Sequence, residues 1–402
     1  MRAQFALIVR DPVLRMLCLA VLLTGTYGSS IGIYQSLIGI TVFHLSDTAY
    51  SVVLAGILAM SVSASVGIGI VTDQRPSRRR MAMLATAMMI CGASTVWLGH
   101  APVFFVLAHV GMIPFNAALF GQVFAVTRLQ TAHLSRRDRD GIMAIVRALF
   151  AVPFVIVLPL WGRSFAAGLP LTTVYPVAAG VAATLLALIL FAWPRDAVAP
   201  WTEQKSGLGF RASLREMAHP PLLLRVMLVG AIHSGSAIAG VILSLVFEQA
   251  AHRTTADVGL FFGIFVAIEV AVTLSVGQVL KLLPRLKIIA LGAVTYAIFL
   301  LLLPWVAPTP YVWLLTIPAG AGGALIYALA IGYLQDLLGA RAGAGSSLLA
   351  VMRIAADGLC AAIFAVGTWL GGYSLVAIMG ATTMVLAISL ILWLDRGRHA
   401  SI

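Results

Sequence analysis

The sequence predicts an all-α membrane protein: twelve transmembrane helices in two pseudo-symmetric six-helix halves. Three observations predict it. Of 402 residues, 61% are hydrophobic and only 10% are charged, where soluble domains carry about 25% charged residues. Mean hydropathy is +1.03, and the apolar runs are long, as spans of roughly 20 residues require and barrel strands of about 10 alternating residues do not. The basic residues stand in short blocks between those runs, as topology signals do.

The net charge of +12 therefore marks membrane orientation and not a nucleic-acid partner. Cys18, Cys91 and Cys360 lie singly inside apolar segments, with neither metal nor disulfide spacing, and read as helix packing. The first long apolar run is a full span, so no cleavable signal peptide is expected.

The spans fall at about 13–40, 49–72, 81–99, 103–127, 141–163, 171–193, 222–247, 256–280, 287–305, 311–334, 343–369 and 373–394. The longest polar connection, 194–221, lies between the sixth and seventh spans. It divides the chain into an N-terminal half, 1–193, and a C-terminal half, 222–402. Within it, "RASLREMA" reads equally as a surface helix or a plain linker.

Orientation follows from the basic residues. Twenty-two of the 26 lie on the side of the N-terminus: Arg2, Arg10 and Arg15; Arg75, Arg78, Arg79 and Arg80; Arg128, Arg136, Arg137 and Arg139; Arg195, Lys205, Arg211, Arg215 and Arg225; Lys281, Arg285 and Lys287; Arg341; Arg396 and Arg398. Arg163 and Arg253 lie on the other side, and Arg147 and Arg353 inside spans. This places both termini on the cytoplasmic side of the membrane.

The second span ends "GIVTDQRPSRRRM" and the eighth "GQVLKLLPRLKI". Setting Gly69 against Gly277 aligns a glycine, a polar turn and a basic start to the next span, which suggests parallel repeats. In these residues the sequence resembles the major facilitator superfamily. Gly69, Asp73, Arg75 and Arg78 to Arg80 carry its loop pattern, with Gln74 where most members have a basic residue. The resemblance implies the fold of that superfamily and a gating role for Asp73, Arg75, Arg78 and Arg79; Arg128 and Arg353, which this loop pattern does not include, complete the candidate gating set. Asp73, at a helix end, can pair with arginines of the neighbouring loop.

The stretch "GYLQDLLGARAGAGSSLL", 332–349, is similar to the corresponding stretch of bacterial sugar efflux transporters. That family has a glutamate in helix eight, an arginine in helix five and a Gln…Ala…Arg run ending helix four. Glu269, Arg147, and Gln122 with Arg128 stand at those places here. The resemblance implies export of sugars or glycosides.

The residues make their own case. An ionisable group at mid-membrane costs about 2.5–3.5 kcal/mol on insertion scales, so it needs an interior, a partner or water. Glu269, in "FFGIFVAIEVAVTLSVG", lies about 18–20 Å from either end of its span. A carboxyl whose charge depends on a movable partner can carry protons; the alternative is a fixed ion pair. Arg147 can donate paired hydrogen bonds to sugar hydroxyls, hold Glu269 ionised, or snorkel to the surface. Arg353 and Asp357 are four apart and can pair on one face; Asp357 is a second candidate for proton coupling.

His233 can titrate, bind sugar or make one structural bond. Gln35, Asn116 and Gln122 are the neutral hydrogen-bonders a polyol needs, or interhelical glue, as is Gln278. Tyr27, Tyr34 and Tyr327 can stack on a sugar ring or simply pack. Pro114, Pro153, Pro159, Pro176 and Pro318 are expected to break or kink their spans. "VPFVIVLP" resembles the antiporter signature region.

No nucleophile–base set, phosphate loop or metal spacing points to an enzyme, and no organic or metal cofactor is implied. The expected function is proton-coupled efflux of sugars or glycosides by alternating access, in a monomer, with protons, a small molecule and the bilayer as partners. Multidrug efflux and a non-transporting, sugar-responsive membrane protein are the alternatives.

Overall fold

The computed structural model describes residues 2–74, 77–196, 220–280, 283–338 and 345–396. Helix α1 spans Arg2–Arg10, α2 Pro12–Ile31, α3 Asp47–Gln74, α4 Arg78–Gly99, α5 Pro102–Gly111, α6 Phe115–Gln130, α7 Arg136–Ala166 and α8 Val174–Ala192. Then come α9 Pro220–Gln249, α10 Thr255–Val279, α11 Arg285–Val306, α12 Thr316–Leu338 and α13 Gly345–Leu394. Eleven helical stretches among the described residues are long and apolar enough to cross a membrane. Helices are the spanning form open to such a chain, because hydrocarbon offers backbone groups no partner.

Breaks fall where the local chemistry asks for them. The first stretch, Pro12–Val42, leaves α-helical geometry after Ile31 and resumes as a short piece, Gln35–Leu37, and a π-helical turn, Ile38–Val42. Pro114 separates α5 from α6. Pro153 and Pro159 lie inside α7 without ending it, while Pro176 and Pro318 sit near the starts of α8 and α12, where a missing N–H is cheap. In α13 the break is Gly371–Gly372, and Gly372 has φ of +71°, a conformation that favours glycine.

The chain divides into two compact units, Met1–His44 with Gly56–Gly207 and Leu45–Ala55 with Leu208–Ile402. Within the first, α2 packs on α7 and α8, and α4 on α8. Close approach needs small residues: a Cβ on Gly25 would stand 2.6 Å from the Phe150 carbonyl oxygen. Polar pins link the same helices. Tyr27 Oη donates to the Met89 carbonyl at 3.0 Å, and Trp161 Nε1 to Ser30 Oγ at 3.1 Å. Arg79 caps the end of α8, donating to the Ile189 and Leu190 carbonyls at 3.3 and 2.6 Å, while its backbone N–H donates to Asp196 at 2.8 Å. A cation suits a helix C-terminus.

Within the second unit α9 packs along α13, and α12 on α10 and α11. A Cβ on Gly230 would stand 2.6 Å from the Met352 carbonyl oxygen. At one end of the unit, Arg225 donates to Asp395 Oδ1 from Nε at 2.9 Å and Nη2 at 2.7 Å, and Tyr333 Oη donates to Oδ2 at 2.8 Å. This pair is buried, 7% and 5% exposed. Tyr373 Oη donates to Asp47 Oδ1 at 2.9 Å, and Tyr50 meets Phe364 edge-on.

The contrast with Arg353–Asp357, 60% and 34% exposed, yields a stability test. Asp395→Ala strands a buried guanidinium and should cost about 3–5 kcal/mol. Asp357→Ala should cost less than Asp395→Ala, because its pair is only partly buried and held by one long bond of 3.4 Å. Melting temperatures of the detergent-solubilised variants should therefore rank wild type, Asp357→Ala, then Asp395→Ala by a wide gap.

Candidate functional site

In the second unit, five helices bring unlike polar groups to one place. Glu269 stands on α10, and its carboxyl carbon lies 3.8 Å from where a Cβ on Gly323 of α12 would be. The same point is 3.5 Å from Tyr296 Cε2 of α11 and 3.6 Å from Phe265 Cε2. The missing side chain of Gly323 thus makes a seat for the acid, floored by Phe265. Among the described residues Glu269 has no hydrogen-bond or ion-pair partner.

One turn along α12 from Gly323 is Tyr327, within electrostatic reach of Glu269, Arg353 and Asp357. Tyr296 is likewise within reach of Glu269 and Tyr327. Ser236 Oγ, on α9, lies 2.8 Å from Tyr327 Oη and donates at 2.8 Å to the His233 carbonyl. Either hydroxyl can donate in the Ser236–Tyr327 bond, because Ser236 can turn its proton to Tyr327 or to the His233 carbonyl. His233 meets the Tyr327 ring edge-on, centroids 5.0 Å apart, and its Nδ1 lies 2.9 Å from the Val229 carbonyl. A carbonyl only accepts, so Nδ1 carries a proton and Nε2 of the neutral ring is an acceptor. On α13, Arg353 Nε donates to Asp357 Oδ2 at 3.4 Å. The set offers two carboxyls, a guanidinium, two phenols, a serine hydroxyl and an imidazole, with an apolar floor at Phe265.

The first unit carries a different surface. By helical spacing Arg147 shares a face of α7 with Phe154, Leu158 and Trp161, opposite exposed Val152, Ile156 and Leu160. Arg147 is exposed and has no polar partner among the described residues. Phe120 lies against Phe124 at 4.5 Å and Phe150 at 4.6 Å, and Phe150 against Phe154 at 5.5 Å. Asn116 Nδ2 is 3.6 Å from the position of a Cβ on Gly28, while its Oδ1 is buried without a hydrogen bond.

Other candidates have structural partners. Gln122 Oε1 accepts from Arg78 Nη1 at 3.0 Å, both side chains buried, and Tyr27 is the pin to Met89. Gln35 opens the short helical piece after the break in the first stretch, and Arg128 is exposed near the end of α6. The Asp73 and Gln278 side chains, Arg75, the 211–218 segment, and residues 339–344 and most side chains of the 332–349 motif lie outside the described residues. Sequence reasoning passed over Tyr296, Ser236 and Gly323. The i, i+4 spacing of Gly323 and Tyr327 was the available signal. It also passed over His109, buried in α5, whose Nε2 lies 2.9 Å from Tyr175 Oη.

The sequence profile of the Major Facilitator Superfamily matches residues 115–356, more than half the chain. The chain belongs to the major facilitator superfamily. It is a membrane transporter of that superfamily and not an enzyme. It is 25% identical, over 94% of its length and 97% of the relative's, to a candidate sugar efflux transporter of Deinococcus radiodurans. In structure it resembles a mutant form of the nucleoside transporter NupG, with TM-score 0.75 at 17% identity, covering 96% of this chain and 100% of that one. It also resembles a peptide-bound POT family transporter, TM-score 0.75 at 12% identity over 95% of each chain. At such identities the likeness is one of fold.

Two neighbouring glycines test the seat. A Cβ on Gly322 would meet the Tyr296 backbone nitrogen at 2.8 Å and the Gly292 oxygen at 2.9 Å, whereas one on Gly323 makes only ordinary contacts. Gly322→Ala should cost about 1–3 kcal/mol by overpacking and reduce the monodisperse yield on size-exclusion chromatography. Gly323→Ala should express like wild type, while Gly323→Leu should fold and lose substrate binding as the longer side chain displaces Glu269.

Proposed function

We propose that this protein is a secondary active transporter that exports sugars or glycosides in exchange for protons, by alternating access. The observation that carries the reading is the Glu269 carboxyl, without a hydrogen-bond or ion-pair partner among the described residues of an apolar span and within electrostatic reach of Tyr296 and Tyr327. A structural acid at that depth would be expected to hold a partner. The name of the Deinococcus relative supports sugar as the substrate class.

In this scheme ionised Glu269 accepts hydrogen bonds from sugar hydroxyls, with Tyr327 Oη and His233 Nε2 as further acceptors. A proton arriving from the outer face binds Glu269, removes the charged acceptor and releases the sugar there. The empty carrier returns, and Glu269 gives up its proton to the cytoplasm. The carrier's two facing states must differ in their affinity for the proton. In the first unit Arg147 is the proposed donor to sugar hydroxyls, and in the second Asp357 with Arg353 adjusts the field around Tyr327. Gln35 and Asn116 complete the proposed substrate set, Gln122 and Tyr27 being committed to Arg78 and to the Met89 carbonyl, with Asp73, Arg75, Arg78, Arg79 and Arg128 as gating residues.

The reading counts the last apolar stretch, Val351–Leu394, as two spans across Gly372. That gives twelve, with both termini in the cytoplasm of a bacterial inner membrane and the monomer as the working unit. The phenylalanine cluster of the first unit favours a second reading, efflux of flat apolar compounds.

The test is gradient-driven uptake of a radiolabelled β-galactoside into inverted vesicles with an acidic lumen. Wild type should accumulate sugar; Glu269→Gln should lose accumulation, and its sugar exchange should need a higher sugar concentration, because the charged acceptor is gone. Transport by Glu269→Gln equal to wild type would remove Glu269 from coupling, and no sugar movement by wild type would favour the second reading. Tyr327→Phe should raise KM about tenfold, the worth of one hydrogen bond, with kcat little changed.

A further inference from the structure

Helix α1 is amphipathic in an unusual sense. It turns Gln4 and Ile8, 8% and 5% exposed, toward the protein and leaves Phe5 and Val9, each 55% exposed, outside. Ala6 and Arg10 are exposed beside them. The inward face is tied down. Gln4 Nε2 donates to Asp138 Oδ1 at 2.9 Å, and its Cγ lies 2.8 Å from where a Cβ on Gly141 would be, so α7 accepts α1 at a glycine. Asp138 is itself held by Ser135, whose Oγ donates to it at 2.8 Å.

A single residue, Asp11, joins α1 to α2. Its Oδ1 accepts from the Val13 and Leu14 N–H groups at 2.8 and 3.2 Å, and Oδ2 accepts from Gln130 Nε2 at 2.8 Å. The apolar stretch that crosses the membrane begins at Pro12. With so short and so well fixed a joint, α1 stays at the end of that span, at the level of the bilayer surface. Two exposed guanidiniums flank the joint, Arg10 and Arg15, neither with a polar partner among the described residues.

We propose that α1 is an interfacial helix that seats Phe5 and Val9 in the bilayer surface and recruits anionic lipid through Arg10 and Arg15. The exposed apolar pair matches the boundary between headgroups and acyl chains, where such helices bury one face by about 5–10 Å. Unpaired arginines beside it match lipid phosphates, to which basic side chains at a membrane surface are drawn. The outward pair is one turn apart, so both side chains enter the same leaflet. Through Gln4 and Asp11 the lipid-seated helix holds the start of α7 and the end of α6.

The test uses the full chain in liposomes. Cys91, the exposed cysteine, is replaced by alanine and a nitroxide placed at Val9→Cys; Ala6→Cys provides a second site that removes no apolar contact. Collision with oxygen and with a water-soluble nickel chelate is measured in neutral lipid and with added phosphatidylglycerol. The expected result is an oxygen-to-nickel ratio several-fold above that of an exposed loop label. The ratio should rise further with phosphatidylglycerol, and Arg10→Gln/Arg15→Gln should abolish that rise. Nickel collision at the loop level in both lipids would overturn the proposal. So would spin–spin broadening that disappears on dilution with unlabelled protein, which would mean that a second copy covers the face.

Discussion

Everything in this structure answers to one constraint: inside hydrocarbon a polar group finds its partner in the protein or remains unsatisfied. The hydroxyls of Thr24, Thr72, Thr86 and Thr127 donate back to carbonyls four residues earlier in their own helices. Tyr27, Trp161 and Tyr333 reach across to neighbouring helices, and Arg225 is neutralised by Asp395. Against this background a group left without a partner is informative. Glu269 is such a group, and its seat exists because Gly323 supplies no side chain.

The two units solve the constraint with different chemistry. The second gathers titratable and hydroxyl groups around Glu269. The first offers phenylalanine rings, the exposed guanidinium of Arg147 and the Asn116 amide oxygen, which has no bond among the described residues. A carrier that couples to protons needs its titratable group where ligand and proton compete for it. These are the physical grounds for preferring the C-terminal cluster as the centre of coupling.

Much of this was legible in the sequence, and the remainder was hidden for definite reasons. Long apolar runs set spans without any need for helical phase, so the spanning stretches lie close to the expected ranges, and Pro114 breaks its span as expected. Pro153 and Pro159 do not end α7, because packing on α2 holds the helix across them. Arg225 read as an orientation signal, and its buried bond to Asp395, 170 residues away, leaves no local trace. Glu269 was legible as the lone acid of its run. Its neighbours Tyr296, Ser236 and Gly323 are residue types common in any membrane helix, and only the packing of α9 to α12 selects them. Helix α1 escaped notice because "FALIV" between arginines merges with the span that follows.

The central claim is that sugar and proton compete at Glu269. The most direct measurement is the pH change of a weakly buffered detergent solution of the protein on addition of sugar, for wild type and Glu269→Gln. The account expects proton release by wild type and none by the variant, which binds sugar more weakly because it lacks the charged acceptor. Sugar binding by wild type without proton exchange at any pH, or equal release by Glu269→Gln, would contradict it.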